Sequence, residues 1–262
     1  MATESTVTAM TALPRRHLGK LLIVAGIALA LLYFSAQSPV LKALLQWSPA
    51  LAAGFAQNIL ISLVAIGLGS LLGLLVGALA LSPLRLMRLP AQIWVQVFRN
   101  APWLVLIYFT TYVFPFEIRI AGTYVAFPDW VKVTLGLALP ASANVAEIFR
   151  GAVASIPATQ WEAARSLAFT RGQIFRSIIL PQCFKRMLPP WMNLYAVITM
   201  GTALASLVGV HYVIDTAQIA SNTVNMTGFT VVIYFSLLAL FFVYCYPISR
   251  LTRRLERRYA FY

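Results

Sequence analysis

Residues 55–81 read FAQNILISLVAIGLGSLLGLLVGALAL, a run of 27 residues without a charged side chain. About 20 apolar residues in a helix cross the hydrocarbon core of a bilayer, so this run is long enough to span a membrane. Gly69, Gly73 and Gly77 share one face of that helix, which favours close approach of a second helix. The second helix belongs either to the same chain or to another subunit.

The composition of the whole chain matches that run. Apolar residues make up 60% of the 262 residues, charged residues only 10%, and the mean hydropathy is +0.81. Soluble domains carry roughly 25% charged residues, so a soluble core is excluded. We predict an all-α integral membrane protein with six transmembrane helices in one membrane domain.

Five further apolar stretches predict the other spans. They are Lys20–Ala36, Pro90–Phe114, Trp130–Arg150, Pro190–Val210 and Phe229–Ile248. The first follows basic residues, as a signal peptide would, but its apolar core is long for a signal and no good cleavage site follows it. We interpret it as a retained anchor. Pro140 inside the fourth span predicts a kink.

The basic residues orient the predicted bundle. Sixteen of the 20 Lys and Arg fall on the N-terminal tail, the C-terminal tail and the alternate connections that share one side with them. We call this the basic side. By the positive-inside rule it faces the cytoplasm, which predicts two cytoplasmic termini in a bacterial cytoplasmic membrane. The rule also explains the net charge of +13 without a nucleic-acid partner.

The sequence shows no pattern of residues typical of an enzyme active site or a metal site. Cys183 lies in a basic loop and Cys245 in a span, a spacing that fits neither a disulfide framework nor a metal site, and His17 and His211 stand alone. Neither a Ser/His dyad nor a paired-carboxylate site is apparent. The Gly-x-x-x-x-Gly-Lys-Ser/Thr motif for nucleotides is absent from the sequence as well.

The basic loop between the fourth and fifth spans has its own pattern. Thr159 with Glu162, and Thr170 with Gln173, have the spacing of capping boxes, which predicts two short helices with a turn near Phe169. Pro181 is expected to close the second helix. That helix carries an apolar face that we expect to be exposed, for contact with either lipid headgroups or a protein groove. Its members are Ile174, Phe175, Ile178 and Ile179.

The loop resembles the cytoplasmic coupling loop of type I ABC importer permeases. The family pattern is Glu-Ala-Ala, three residues, Gly, nine residues, Ile, one residue and Leu-Pro. The matching positions here are Glu162, Ala163, Ala164, Ile178, Leu180 and Pro181.

Ala168 departs from that pattern, because it stands where the family has glycine, and Gly172 comes four residues too late to replace it. If the family glycine supplies a turn with positive φ, alanine there costs about 1 kcal/mol or more. We expect a tilted loop or weaker coupling.

Three further elements resemble the polar amino acid subgroup of this family, the histidine, glutamate, glutamine and arginine permeases. They are Phe98-Arg99-Asn100-Ala101-Pro102, Ala146-Glu147-Ile148-Phe149-Arg150-Gly151-Ala152 and Leu188-Pro189-Pro190. The resemblance covers roughly residues 55–260, so it implies a five-helix importer core preceded by an extra N-terminal helix. It also divides the chain into a tail (1–19), the extra helix with its extracytoplasmic connection (20–54), the transmembrane domain (55–250, coupling loop about 151–187) and a basic tail (251–262).

The resemblance implies a subunit of an ATP-driven importer of polar amino acids, or of another small solute such as an opine-like compound. The implied partners are two cytoplasmic ATPases, a second permease subunit, an extracytoplasmic binding protein and membrane lipid. ATP and Mg would bind the ATPases, and this chain would bind no cofactor. Glu162 is expected to lie near a basic residue of an ATPase, to cap its own helix, or to do both.

Polar side chains within the spans are candidates for the substrate path, since such groups are costly in a bilayer. Glu147 either binds a substrate ammonium or pairs with Arg150, and Asn144 faces either a cavity or a neighbouring helix. Thr202 and Ser206 either line the substrate path or pack against a neighbouring helix. Arg99, next to Asn100, has three possible roles. It binds a substrate carboxylate, extends its charged end to the membrane edge, or forms an ion pair there.

The fifth span lacks a charged pair that many subgroup members have. They carry Lys-Asp or Lys-Asn before a Thr-Ser-Leu-like triplet, whereas this chain has Met200-Gly201 before Thr202. The difference predicts a heterodimer in which a paralogous permease supplies most substrate contacts.

Overall fold

The computed structural model describes residues 38–120, 123–210 and 212–259. The first predicted span, Lys20–Ala36, lies outside these residues, as do His17 and His211. Within them, three helical stretches are long and apolar enough to cross a membrane: Pro39–Ala80, Arg171–Val208 and Thr227–Tyr259. A shorter apolar helix covers Trp103–Val113.

Helix α1 (Pro39–Ala80) is longer than the predicted span, because it begins 16 residues before Phe55. The helix therefore includes residues 39–54, which the predicted second span did not contain. Ser38 caps the helix by accepting a hydrogen bond from the Leu41 amide at 3.2 Å. Pro49 removes one amide from the ladder, but the Ser48 hydroxyl donates to the Leu45 carbonyl that this amide would have reached, at 2.8 Å.

The prediction of one continuous third span is wrong, because two separate helices occupy these residues. Helix α2 (Arg85–Asn100) ends before Ala101 and Pro102, and helix α3 (Trp103–Val113) follows them. Both intervening residues have extended backbone, with ψ of 137° and 128°. Pro102 forces this break because a residue before proline avoids the helical region.

A β-hairpin that the sequence analysis did not predict follows α3. Strands β1 (Glu117–Ile120) and β2 (Thr123–Ala126) pair antiparallel, with Arg119 opposite Tyr124. The side chain of Lys132 anchors the hairpin: it is fully buried, 2.9 Å from Asp129 Oδ1 and 4.0 Å from the centre of the Phe116 ring. A buried ammonium needs such partners, which here are a carboxylate and an aromatic face.

Helix α4 (Asp129–Ala154) matches the predicted fourth span to within a few residues and continues through Pro140. The loop after it contains helix α5 (Ala158–Ser166) and helix α6 (Arg171–Ile174), as predicted. A π-helical turn (Phe175–Ile179) joins α6 directly to helix α7 (Leu180–Gly201).

Pro181 therefore begins a helix and does not close one, which corrects the prediction. The Leu180 amide reaches back five residues to the Phe175 carbonyl, so the ladder shifts register just before the proline that cannot donate.

A 3-10 segment (Thr202–Val208) continues α7 and ends at Gly209, whose φ is +78°. Helix α8 (Val213–Val224), also unpredicted, leads to helix α9 (Thr227–Tyr259). Helix α9 continues 11 residues beyond the predicted span and includes the described part of the basic tail, residues 251–259. The hydroxyls of Tyr195 on α7 and Tyr244 on α9 lie 2.6 Å apart.

The centre of the fold is the contact between α1 and α4. A Cβ at Gly69 would lie 2.5 Å from Ala141 Cβ, and one at Gly73 would lie 2.5 Å from the Ser142 carbonyl oxygen. At Gly77 the nearest atom is Phe149 Cδ1, at 2.9 Å. The glycine row therefore packs inside this chain, which decides between the two interpretations left open by the sequence.

The glycine row leads to a prediction. Gly73→Ala should lower the free energy of unfolding by about 1–3 kcal/mol, because its Cβ meets backbone that must move. Thermal unfolding of the purified chain in detergent would measure this.

Gly67→Ala, on the same helix, is the matched control. Gly67 has nothing within 4 Å of its Cβ position, so alanine there should be neutral or stabilising by about 0.5–1 kcal/mol. Equal melting temperatures for the two variants would contradict the packing of the glycine row against α4.

Candidate functional site

The loop from Ala154 to Leu180 is a compact unit attached to both neighbouring helices. Gln182 on α7 donates to the Gln160 side chain on α5 at 2.6 Å. Arg186 donates from one nitrogen to the Ser155 carbonyl at 2.6 Å and to its hydroxyl at 2.8 Å. These hydrogen bonds connect α5 and the loop to the ends of α4 and α7.

The predicted apolar face of the second loop helix does not lie free. Ile174 and Ile179 are buried and Phe175 and Ile178 are half-buried, all packed in one cluster with Ala152, Ile156, Ala164 and Cys183. The prediction of an exposed face is therefore wrong. The turn in the backbone directs these side chains back onto the end of α4, so they stabilise the loop itself.

The two predicted capping boxes have different outcomes. Thr170 and Gln173 form one: the Thr170 hydroxyl accepts from the Gln173 amide, and the Gln173 side chain accepts from the Thr170 amide. Thr159 and Glu162 do not, because α5 begins at Ala158 after Pro157, which has no side-chain cap. The earlier start puts Thr159 inside the first turn, so Glu162 has no capping role.

Ala168 closes α5 in the left-handed region, with φ of +59°. The Phe169 amide donates to the Ala164 carbonyl at 3.2 Å and the Ala168 amide to the Arg165 carbonyl at 2.9 Å. These two bonds form a Schellman motif with Ala168 at the position that favours glycine. The sequence analysis correctly expected a positive φ here if the turn were kept.

The turn leaves an exposed ridge, which consists of Glu162, Ala163, Leu167 and Phe169. Leu167 is 73% exposed and Phe169 40%. Glu162 forms no ion pair with any other described residue. Sequence reasoning missed Leu167 and Phe169, although two large apolar residues beside a left-handed turn are the signal that finds them.

The structure brings together two of the substrate-path candidates and a neighbour. Glu147 lies 2.9 Å from Arg150 and 3.9 Å from Arg99, which stands at the end of α2. All three side chains are partly exposed. Of the alternatives for Glu147 and Arg99, ion pairing is the one present here, and it leaves the cluster with a net positive charge.

The remaining candidates bond within their own segments or to packing partners. Asn144 donates to the Pro140 carbonyl at 2.8 Å, so it bonds its own helix and not a neighbouring one. Asn100 donates to the Gln96 carbonyl at 2.7 Å, and Ser206 to the Ala203 carbonyl at 2.9 Å. Thr202 is buried and serves packing.

Asn58, which the sequence analysis did not select, holds three elements together. Its side chain is buried on α1; its amide nitrogen donates to the Thr202 hydroxyl at 2.9 Å, and its oxygen accepts from the Val213 amide at 3.3 Å. Gly54, one turn earlier, lets the α8 backbone approach: a Cβ there would lie 2.9 Å from Val213 N. The available signal was a polar amide side chain within an apolar run, although Gln57 beside it gives the same signal and is exposed.

Comparisons with known proteins agree with this geometry. The family of binding-protein-dependent transport system inner membrane components matches residues 65–261. A probable amino-acid ABC transporter permease of Bacillus subtilis (strain 168), YckA, is 29% identical over 82% of this chain and 91% of its own length. An octopine transport system permease of Rhizobium radiobacter, OccM, is 30% identical over 79% of this chain and 84% of its own length.

Two solved structures are similar as well. A crystal structure of an amino acid ABC transporter with histidines superposes with a TM-score of 0.74 at 26% identity, over 85% of this chain and 99% of that one. The methionine transporter MetNI, in an inward-facing conformation, superposes with a TM-score of 0.61 at 20% identity, over 81% of this chain and 97% of that one.

The fold and the loop define a membrane-embedded transporter permease rather than a catalytic enzyme. The chain belongs to the family of binding-protein-dependent transport system inner membrane components.

The left-handed turn at Ala168 generates a prediction. Ala168→Gly should stabilise the loop by about 1 kcal/mol, because the strain removed outweighs the greater chain entropy of glycine. Amide hydrogen exchange should then be about fivefold slower at Phe169, whose amide closes the turn. Ala163→Gly, the same change within α5, should speed exchange instead, and a shift in the same direction for both variants would contradict the assignment of strain.

The two hydrogen bonds of Asn58, which we call the Asn58 bridge, generate another prediction. Asn58→Ala leaves the buried Thr202 hydroxyl and the Val213 amide short of a partner, which should cost about 1–3 kcal/mol of folding free energy. The measurement is thermal unfolding in detergent. Gln57→Ala is the control, since Gln57 is exposed one residue earlier, and equal melting of both variants would rule out the bridge as a stabilising contact.

Proposed function

We propose that this chain is the permease subunit of an ABC importer that moves polar amino acids inward across the cytoplasmic membrane. The exposed ridge on the loop is the observation that carries the proposal. It is fixed to α4 and α7 through Arg186 and Gln182, so a force applied to it reaches the membrane helices. The names of the relatives support amino acids as the substrate class.

In this proposal two partner ATPases dock on the ridge and hydrolyse ATP with Mg. Glu162 and Ala163 are exposed for contact, whereas Ala164 and Ile178 pack the loop and give it stiffness. Leu180 and Pro181 lie where the π-helical turn meets α7. Closure of the ATPases would move the ridge, and the helices would switch between inward and outward access.

The proposal places the basic side in the cytoplasm with both termini, following the positive-inside rule. The contact of Arg186 with Ser155 supports a common end for α4 and α7. The cleft that Arg88 shares with Arg165 supports the same end for the turn before α2. On this assignment an extracytoplasmic binding protein delivers the substrate to the opposite side, where the hairpin and Lys132 lie.

The proposed assembly contains a second, paralogous permease. Met200 is about half exposed, and a Cβ at Gly201 would lie 3.0 Å from the Trp103 ring. A larger side chain at position 201 would have to displace this ring, so the charged pair of other subgroup members does not fit here. A companion subunit that carries the pair would supply most of the substrate contacts.

Arg99, Asn100 and Glu147 are the proposed contribution of this chain to the path. A partly exposed carboxylate between two guanidinium groups offers both signs of charge to a zwitterion. An opine is the second and less supported candidate substrate, since the octopine permease OccM is 30% identical to this chain whereas several other relatives are named as amino-acid permeases. Uptake of a labelled amino acid, with other amino acids and octopine as competitors, separates the two.

Copurification with the ATPase tests the docking role. Glu162→Ala should reduce recovery of the partner ATPase and substrate-stimulated hydrolysis by about tenfold, since charge-assisted contacts contribute roughly 1.5–3 kcal/mol. The loop itself should stay intact, because the Glu162 side chain caps nothing.

Glu117→Ala, in the hairpin, removes the same charge from the other end of the molecule and should leave recovery of the ATPase unchanged. Full ATPase recovery with Glu162→Ala would remove this residue from the docking site. Import by a homodimer of this chain with the ATPase and binding protein would contradict the paralogous second permease.

A further inference from the structure

A basic cleft lies between the turn that precedes α2 and the loop. Its volume is about 590 Å³, within the range of small-ligand sites. Three arginines from three different elements line it: Arg88 on α2, Arg165 at the end of α5 and Arg171 at the start of α6. No role in ATPase docking or in the substrate path has been given to these three side chains above.

The charge in the cleft is not neutralised by the described part of the chain. None of the three guanidinium groups forms an ion pair or hydrogen bond with another described residue. The indole N–H of Trp161, which also lines the cleft, likewise bonds to no described group. The Ser82 hydroxyl accepts from the Leu84 amide at 3.2 Å and donates only to the Met87 sulfur, a weak acceptor, at 3.9 Å. The arginine and tryptophan donors of this cleft therefore have no acceptor within the described part of the chain.

A phosphate group is the acceptor that these donors fit. Arginine presents paired N–H groups that match phosphate oxygens, and convergent guanidinium groups favour an anion over a neutral polar group. Leu81, Ile174 and Phe175 supply an apolar wall beside the arginines. The ligand is therefore an anion with an apolar part.

The surroundings point to a lipid as the source of the phosphate. The first turn of α2 and the residue before it expose several large apolar side chains beside Arg88: Leu84 (58% exposed), Leu86 (88%), Met87 (46%) and Leu89 (60%). A helix that combines exposed leucines with arginines is typical of the membrane interface. The cleft also lies at the end of α1, the most apolar of the spanning helices.

We propose that this cleft binds the phosphate headgroup of an anionic phospholipid, with Arg88, Arg165 and Arg171 as its ligands and with the acyl chains along the exposed face of α2. A bound lipid joins the turn before α2 to the loop, so it would bridge the membrane surface and the coupling element. The proposal is independent of the substrate and of the ATPase, because it concerns the isolated chain.

Native mass spectrometry of the purified chain tests it, with equal amounts of phosphatidylglycerol and phosphatidylcholine added in detergent. The wild type should retain phosphatidylglycerol selectively. The triple variant Arg88→Gln, Arg165→Gln and Arg171→Gln should bind it on the order of 100-fold more weakly, since each basic residue near a lipid surface is worth about a factor of five. Lysine at the same three positions should keep most of the binding.

Arg253→Gln with Arg254→Gln and Arg257→Gln is the matched control. It removes three exposed charges from α9, outside the cleft, and should weaken retention far less than the triple cleft variant does. Each single Arg→Gln variant is measured beside the triple variant, so a folding defect in the triple variant still leaves a readout.

Several results would overturn the proposal. Equal retention of the two lipids by the wild type would deny selectivity, and unchanged retention by the glutamine variants would move the lipid elsewhere. Displacement of phosphatidylglycerol by millimolar inorganic phosphate would make the ligand free phosphate. Displacement by the partner ATPase, with no lipid bound in the assembled transporter, would assign the cleft to a protein contact.

Discussion

The close approach of α1 and α4 is the contact on which the rest of the structure depends. In a bilayer the surrounding lipid is as apolar as the helices, so association relies on van der Waals contact and hydrogen bonds. Glycines at positions 69, 73 and 77 let α4 lie directly against α1. With these two helices fixed, Asn58 can reach Thr202 and Val213, and the loop at the end of α4 has a rigid base.

Prolines and glycines break the helices at places where other groups compensate. Ser48 replaces the bond that Pro49 cannot make, and a π-helical turn precedes Pro181. Gly209 ends the 3-10 segment in the left-handed region that suits it. Ala168 and Asn225 adopt the same region without that freedom, and alanine is the less tolerant of the two because asparagine visits this region readily. The Schellman bonds and the packing of the loop hold Ala168 there, and the family pattern places this strain in the proposed coupling element.

Glu147 and Arg99 were selected from the sequence as candidates, but their arrangement was not. Glu147 and Arg150 are three residues apart on one helix, so their pairing was one alternative that the sequence could offer. Arg99 joins them from another helix, and sequence spacing alone gives no such contact. Asn58 was missed for a related reason: its partners lie 144 and 155 residues away, and only the packed helices bring them within reach.

The sequence by itself determined the class of protein, because apolar runs, charge asymmetry and the motif at 162–181 are local features. It also determined the Thr170 capping box and the glycine face of α1. Ser38 before Pro39, and Pro102 within the third predicted span, are local signals as well, so the helix start and the break were available from the sequence. The tertiary structure decided the rest, above all the burial of the apolar face around Ile174 and the contacts of Asn58. These depend on which surfaces meet, since burial and long-range hydrogen bonds override local preference. The basic cleft arises in the same way, because its three arginines converge only when the turn before α2 packs beside the loop.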